Sequence, residues 1–85
     1  MAEKVEIGRI SHFFDKISVC VIELKDELKV GDRISIEGHD SVMEQEVTSM
    51  EIDRKPVETA GAGESIGMKT DKPVKRGDIV FKIVE

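Results

Sequence analysis

The 85-residue chain has no tryptophan and no tyrosine, and Cys20 is its only cysteine. Its aromatics are three phenylalanines, Phe13, Phe14 and Phe81, so the core has to be built from aliphatic side chains. A lone cysteine excludes an internal disulfide and leaves no second thiolate for a zinc site. Within "ISVCVIEL", Cys20 reads as a small buried hydrophobe rather than a reactive thiol. No apolar run approaches the roughly 20 residues that a membrane-spanning helix needs. Met1-Ala2-Glu3-Lys4 leads straight into alternating sequence rather than into a signal peptide. These absences point to a cytoplasmic protein with no membrane partner. The length allows one domain, residues 1–85, which buries only about 60–65% of the surface its unfolded chain exposes.

Branched aliphatic residues and uneven charge are plentiful. Six Lys/Arg stand against twelve Asp/Glu from Met1 to Ile52, and seven against six from Asp53 to Glu85, within a formal net charge of −5. Affinity for anions therefore concentrates in the second half, at Arg54, Lys55, Lys69, Lys72, Lys75 and Arg76. Valine and isoleucine favour a pleated, half-buried surface over a helix. "KVEIGRISHFF" alternates, then resets at Gly8, as a strand does at a bulge or tight bend. In "KISVCVIEL", Ile17, Val19 and Val21 face one way and Cys20, Ile22 and Leu24 the other, which marks a central strand. Leu28 and Val30 are expected to cap one end of the core. "RISIE" puts Ile34 and Ile36 inward and Arg33, Ser35 and Glu37 outward. A long strand is expected from Met43 to Ile52, then a loop with an apolar contact at Val57 and Ala60. Ile66 to Met68 and "IVFKIV" supply the last strands. Short strands bounded by Gly, Asp or Pro predict an all-β fold, a small closed six-stranded antiparallel barrel.

Four of the seven glycines fall between Thr59 and Asp78, close to a lysine-threonine pair. A phosphate-binding loop requires G-x-x-x-x-G-K-[ST]. Gly63 and Gly67 are one residue too close for it, and Met68 separates Gly67 from Lys69. G-x-G-x-x-G fails because Ile66 stands where its last glycine belongs. Pro73 and Gly77 also forbid the helix that either motif needs. The glycines therefore serve turns and close strand approach, and neither a nucleotide nor another cofactor is expected. Arg76-Gly77-Asp78 reads as a turn leading into a strand. His12 with Asp15 and His39 with Asp40 are solvated turn residues rather than metal ligands. Ser11, His12 and Asp15 crowd one hairpin and make no nucleophilic triad. No catalytic constellation is present, so the chain reads as a binding module, not an enzyme.

"LKVGDRISIEG", "VTSMEIDRKPVETAGAGESIG" and "VKRGDIVFK" together resemble the β-barrel that follows the GTPase domain in translation elongation factor Tu. The resemblance runs from about Gly8 to Val84. It implies a translation-type barrel and a role near RNA, the ribosome or a translation-linked protein. In that family the barrel helps hold the aminoacylated end of tRNA. Glu51 matches the motif glutamate that borders the terminal adenosine, and Arg54 matches the motif arginine. Asp53 replaces the motif phenylalanine, Ser65 its asparagine, and Cys20-Val21 a threonine-glycine pair. The contact surface this implies comprises Glu51, Arg54, Lys55, Ser65, Lys69, Lys72, Lys75 and Arg76, flanking the Ala62–Gly67 turn. "KPVKRGDIVFK" is similar as well to the small C-terminal barrel of U32-family peptidases, an accessory part of those proteins. With it goes a second reading, a protein-interaction subunit that docks on a separately encoded enzyme such as a U32-type peptidase, through exposed apolar side chains from "SVCVIEL" or near Phe14.

Overall fold

A computed structural model describes residues Glu3–Val84 as ten strands and no helix, and hence no helix able to cross a membrane. In chain order they are β1 (Glu3–Phe14), β2 (Val19–Leu24), β3 (Leu28–Lys29), β4 (Arg33–Glu37), β5 (Val42–Glu46), β6 (Met50–Ile52), β7 (Lys55–Val57), β8 (Thr59–Ala60), β9 (Ser65–Lys69) and β10 (Ile79–Val84). Eight form one antiparallel sheet in the order β5-β4-β10-β1-β2-β9-β6-β7, and β3 pairs with β8 in a second, two-stranded sheet.

The all-β class agrees with the sequence, whereas closure of the strands into a six-stranded barrel is not found among the described residues. The large sheet has two ends, β5 and β7, and no ladder among the described residues joins them. Both end strands are short, and Pro56 in β7 lacks a backbone donor, a device that keeps sheet edges from pairing. Gln45 on β5 reaches instead to the end of β9. Its Nε2 donates to the Lys69 carbonyl at 2.9 Å, and the Asp71 N–H donates to its Oε1 at 3.0 Å.

Gly8 acts as the alternation of β1 requires. Glu6 pairs with Phe81 and Gly8 with Val80, so the register slips by one residue there. A second slip on the β2 side separates Ile10 from His12. Each slip bends β1, which lets one long strand turn its apolar residues toward two neighbours. Ile7, Ile10, Cys20, Ile22, Leu28, Ile34, Ile36, Met50, Ile66, Met68 and Val80 are all 2% exposed or less and form the core. Burial leaves the Cys20 thiol pushed up to about 12, which suppresses thiolate chemistry.

Two Lys-x-Gly-Asp turns, Lys29–Asp32 and Lys75–Asp78, lead into β4 and β10, which then pair. In each, the Asp N–H donates to the Lys carbonyl, the Lys N–H donates to Asp Oδ2 at 2.9 Å, and the glycine adopts a left-handed φ, 98° at Gly31 and 95° at Gly77. A positive φ at the third position defines a type II turn and selects glycine. Arg76-Gly77-Asp78 is therefore a structural corner, with the Asp78 side chain buried.

Three local expectations change. The strand expected over Met43–Ile52 is broken: β5 pairs with β4, β6 pairs with β9 and β7, and a straight strand cannot serve both ends of the sheet. Val47 makes the corner, fully buried and hydrogen-bonded to the Gly31-Asp32 turn. Val30 is exposed rather than a cap, while Leu28 is buried as expected. Ser35 is buried, in register between Phe81 and Glu44, and its hydroxyl donates to Glu37 Oε2 at 2.9 Å. Hydrogen bonds from Lys4 and then Ser35 hold the Glu37 carboxyl below the ordinary carboxylate range.

Thr70, 4% exposed, has a buried hydroxyl without a hydrogen-bond partner among the described residues. An unsatisfied buried polar group costs about 1–3 kcal/mol. Thr70→Val, of nearly the same shape, is expected to raise the unfolding free energy by about 1 kcal/mol in urea titration. A loss of stability would mean that this hydroxyl is satisfied in solution.

Candidate functional site

Two tight turns prepare the site locally. Phe14 and Val19 pair across the loop 15–18, whose last residue, Ser18, takes φ 54°. Ile17 N donates back to the Phe14 carbonyl at 3.3 Å, and the fold leaves Phe14 46% and Ile17 60% exposed. The second turn joins β6 to β7. Ile52 faces Lys55, and Asp53 and Arg54 between them take φ 53° and 65°, a type I′ turn. Glycine is favoured at its second position, and holding an arginine there costs about 1–2 kcal/mol. Arg54→Gly is therefore expected to raise stability by about 0.5–1 kcal/mol, net of the extra freedom glycine gives the unfolded chain. A fall in the urea midpoint would show that the arginine side chain contributes more to folding than its backbone costs.

The order β1-β2-β9-β6 brings the two turns to one groove of about 650 Å³. Phe14, Ile17, Val19 and Val21 line it on one side, Glu51, Asp53 and Arg54 on the other, with Ser65, Ile66 and Gly67 between. Register explains the shape. His12, Val21, Gly67, Glu51 and Pro56 follow one another across β1, β2, β9, β6 and β7. Gly67, without a side chain, leaves a hollow in that row. The His12 ring stands edge-on to Phe14 at 4.3 Å and extends the aromatic end of the face. Asp53, where an aromatic is found in the elongation-factor motif, gives this rim a second carboxylate beside Glu51.

Of the residues expected from sequence, Glu51, Arg54 and Ser65 meet in this groove. Lys69 borders a smaller depression of about 160 Å³ beside it, shared with Val19, Glu51 and Gly67. Lys55 opens β7, exposed, just past the turn. The remaining bases do not join them. Lys75 and Arg76 line a separate cavity of about 690 Å³ with Glu37, His39 and Asp40, and exposed Lys72 lies in the connection before it. The single basic surface expected around the Ala62–Gly67 turn is thus divided, and its second half sits among carboxylates. Sequence reasoning had the polar hairpin and the apolar strand as rival contact surfaces, whereas they are two walls of one groove. The alternation of Ile17, Val19 and Val21 was the available sign of the apolar wall.

No protein-family model matches the chain. Its sequence is 45% identical over 83 residues, 96% of the chain, to an uncharacterised protease of Methanocaldococcus jannaschii, and it spans 20% of that relative's length. The fold is that of the C-terminal domain of a Geobacillus thermoleovorans protein assigned to the U32 peptidases. That structure has a TM-score of 0.86 at 11% identity, covering 92% of this chain and 91% of the other. A selenomethionine variant of the same domain gives 0.84 at 10% identity, covering 88% and 95%. These relatives are named for peptidases and not for translation.

Proposed function

We propose that this chain is a non-catalytic accessory domain that docks on the folded body of a protein of the U32-peptidase type. The observation that carries the reading is the groove. Phe14 and Ile17, two of the five exposed large apolar side chains among the described residues, converge there with half-buried Val19 and Val21. Apolar surface gathered in one rimmed patch marks an interaction site, whereas scattered single residues do not. The similarity to one-fifth of a longer protein named as a protease supports the same reading, since the chain matches a part of that protein and not its whole.

The tagged chain, recovered from native extract of its source, is expected to retain a protein partner through gel filtration. Phe14→Ser with Ile17→Ser should reduce that retention at least tenfold. Both side chains are largely exposed, so stability should change by no more than about 0.5 kcal/mol per substitution. Recovery of nucleic acid alone, or a partner indifferent to both substitutions, would refute docking through this face. Peptide hydrolysis by the isolated chain, abolished by changing His12 or His39, would refute the non-catalytic assignment.

A further inference from the structure

Met43 and Gln45 are the inward residues of β5, and an amide at such a position needs partners, because buried polar groups are rarely left unpaired. Gln45, 6% exposed, finds both across the seam between β5 and the end of β9. No ladder pairs those two strands among the described residues. A cavity of about 280 Å³ lies at the seam, with Gln45, Glu46, Lys69 and Asp71 in its lining. The amide donates to the Lys69 carbonyl at 2.9 Å and accepts from the Asp71 N–H at 3.0 Å. One residue of a neighbouring strand would make the same two bonds in a parallel ladder, so this side chain supplies a single rung centred on Thr70. The reverse orientation of the amide would set donor against donor and oxygen against oxygen. On its other side, Thr70 donates its N–H to the Ser18 carbonyl at 2.9 Å, just past Val19 and Lys69, the last pair of β2 and β9. Ser18 has the left-handed φ of 54°, which a serine keeps only where its surroundings impose it. Within the same loop, the bond from Ile17 N to the Phe14 carbonyl is long at 3.3 Å, so the Thr70 bond is the firmer of the two.

We propose that Gln45 is a positioning residue for the groove. Its rung keeps the chain beyond β9 extended, which holds Thr70 against Ser18 and so fixes the apolar tip that carries Phe14 and Ile17. This rests on the docking reading above and names what holds one wall of that site in place. Gln45 itself does not line the groove. The rung differs from a ladder in how it lets go. A side-chain amide is released by rotation about its own bonds, with both hydrogen bonds lost together. A strand leaves a sheet only by breaking several backbone bonds. The seam is therefore where a local opening reaches the groove while the core stays folded.

Amide hydrogen exchange and NMR relaxation test the rung with no partner present. Gln45→Met keeps the volume and removes the amide. In it the Thr70 and Asp71 N–H groups should exchange at least tenfold faster than in the wild type, beyond any change at Ile22 and Ile66 in the middle of the β2–β9 pairing. The Ser18 backbone order parameter should fall from about 0.85 to below about 0.6. Partner retention from native extract should fall at least fivefold. Gln45→Glu gives a rescue that a space-filling role would not show, and it carries the test if Gln45→Met does not fold. Ionised, the new carboxylate opposes the Lys69 carbonyl; protonated, it offers a donor and an acceptor as the amide does. Its exchange at Thr70 and Asp71 should therefore return toward the wild-type rate, measured at the same pH, as pH falls below about 5. Glu46, Lys69 and Asp71 are the charged residues beside it, and the wild type carries them too. Exchange unchanged in both variants, or faster exchange with Ser18 as ordered as before, would overturn the inference. So would equal retention of a partner by the wild type and by a variant whose Ser18 is mobile. Failure of the docking reading is separate: a chain that retains no partner refutes docking, while exchange and order still decide whether Gln45 fixes the tip.

Discussion

Gly8→Ala is expected to lower the unfolding free energy by about 3 kcal/mol, the upper range for a forced overpacking. In a domain of this size that amounts to a fall in Tm of about 15 °C. Gly8 is buried where β1 slips register between β10 and β2. A Cβ there would run into the Glu23 carbonyl oxygen and lie 3.1 Å from Ile22 Cγ2. The carbonyl belongs to the backbone of a central strand, so it cannot swing aside as a side-chain tip would. Relief requires β1 to move away from β2 at the centre of the sheet. Gly67→Ala is the control: its Cβ meets nothing closer than 3.7 Å, and removing an interior strand glycine should leave stability unchanged or raise it by up to about 1 kcal/mol. A Gly8→Ala protein within about 0.5 kcal/mol of wild type would mean that the bulge is not what bends β1.

The second large effect separates two isoleucines on one hairpin. Ile22→Ala should cost about 3 kcal/mol, as loss of a fully buried isoleucine does, whereas Ile17→Ala should cost no more than about 0.5 kcal/mol. Ile22 is 0% exposed and pairs with Ile10 on one side and Ile66 on the other. Its truncation leaves a cavity between strands that cannot collapse independently. Ile17 is 60% exposed at the loop tip. If Ile17→Ala left urea unfolding unchanged yet weakened partner retention, the apolar tip would be kept for contact rather than for folding. A cost at Ile17 comparable to that at Ile22 would instead make the tip part of the core and remove the main support for the groove as an interface.

Strand periodicity made much of the fold legible. Cys20, Ile22 and Leu24 are buried while Val19 and Val21 face the groove, as alternation in "SVCVIEL" implies, because side chains in a strand must take opposite faces. The Gly8 bulge was legible because glycine in a strand has few other uses. Ser35 was misplaced because its burial depends on Phe81 and Glu44, which arrive from strands distant in sequence. The break at Val47 was hidden for the same reason: residues 43–52 alternate plausibly as one strand, and only their different partners split them.

For the site, Glu51, Arg54 and Ser65 were legible through a motif, and Phe14 through its exposed apolar position, but not their common groove. Local chemistry determined the strands, the Lys-x-Gly-Asp corners and the failure of the glycine-rich stretch to make a phosphate loop, since each depends on backbone preference within a few residues. The tertiary structure alone decided that Ile17 lines the same groove as Arg54. That contact depends on the order β1-β2-β9-β6, which is set by how the aliphatic faces of distant strands bury one another and not by any turn along the way.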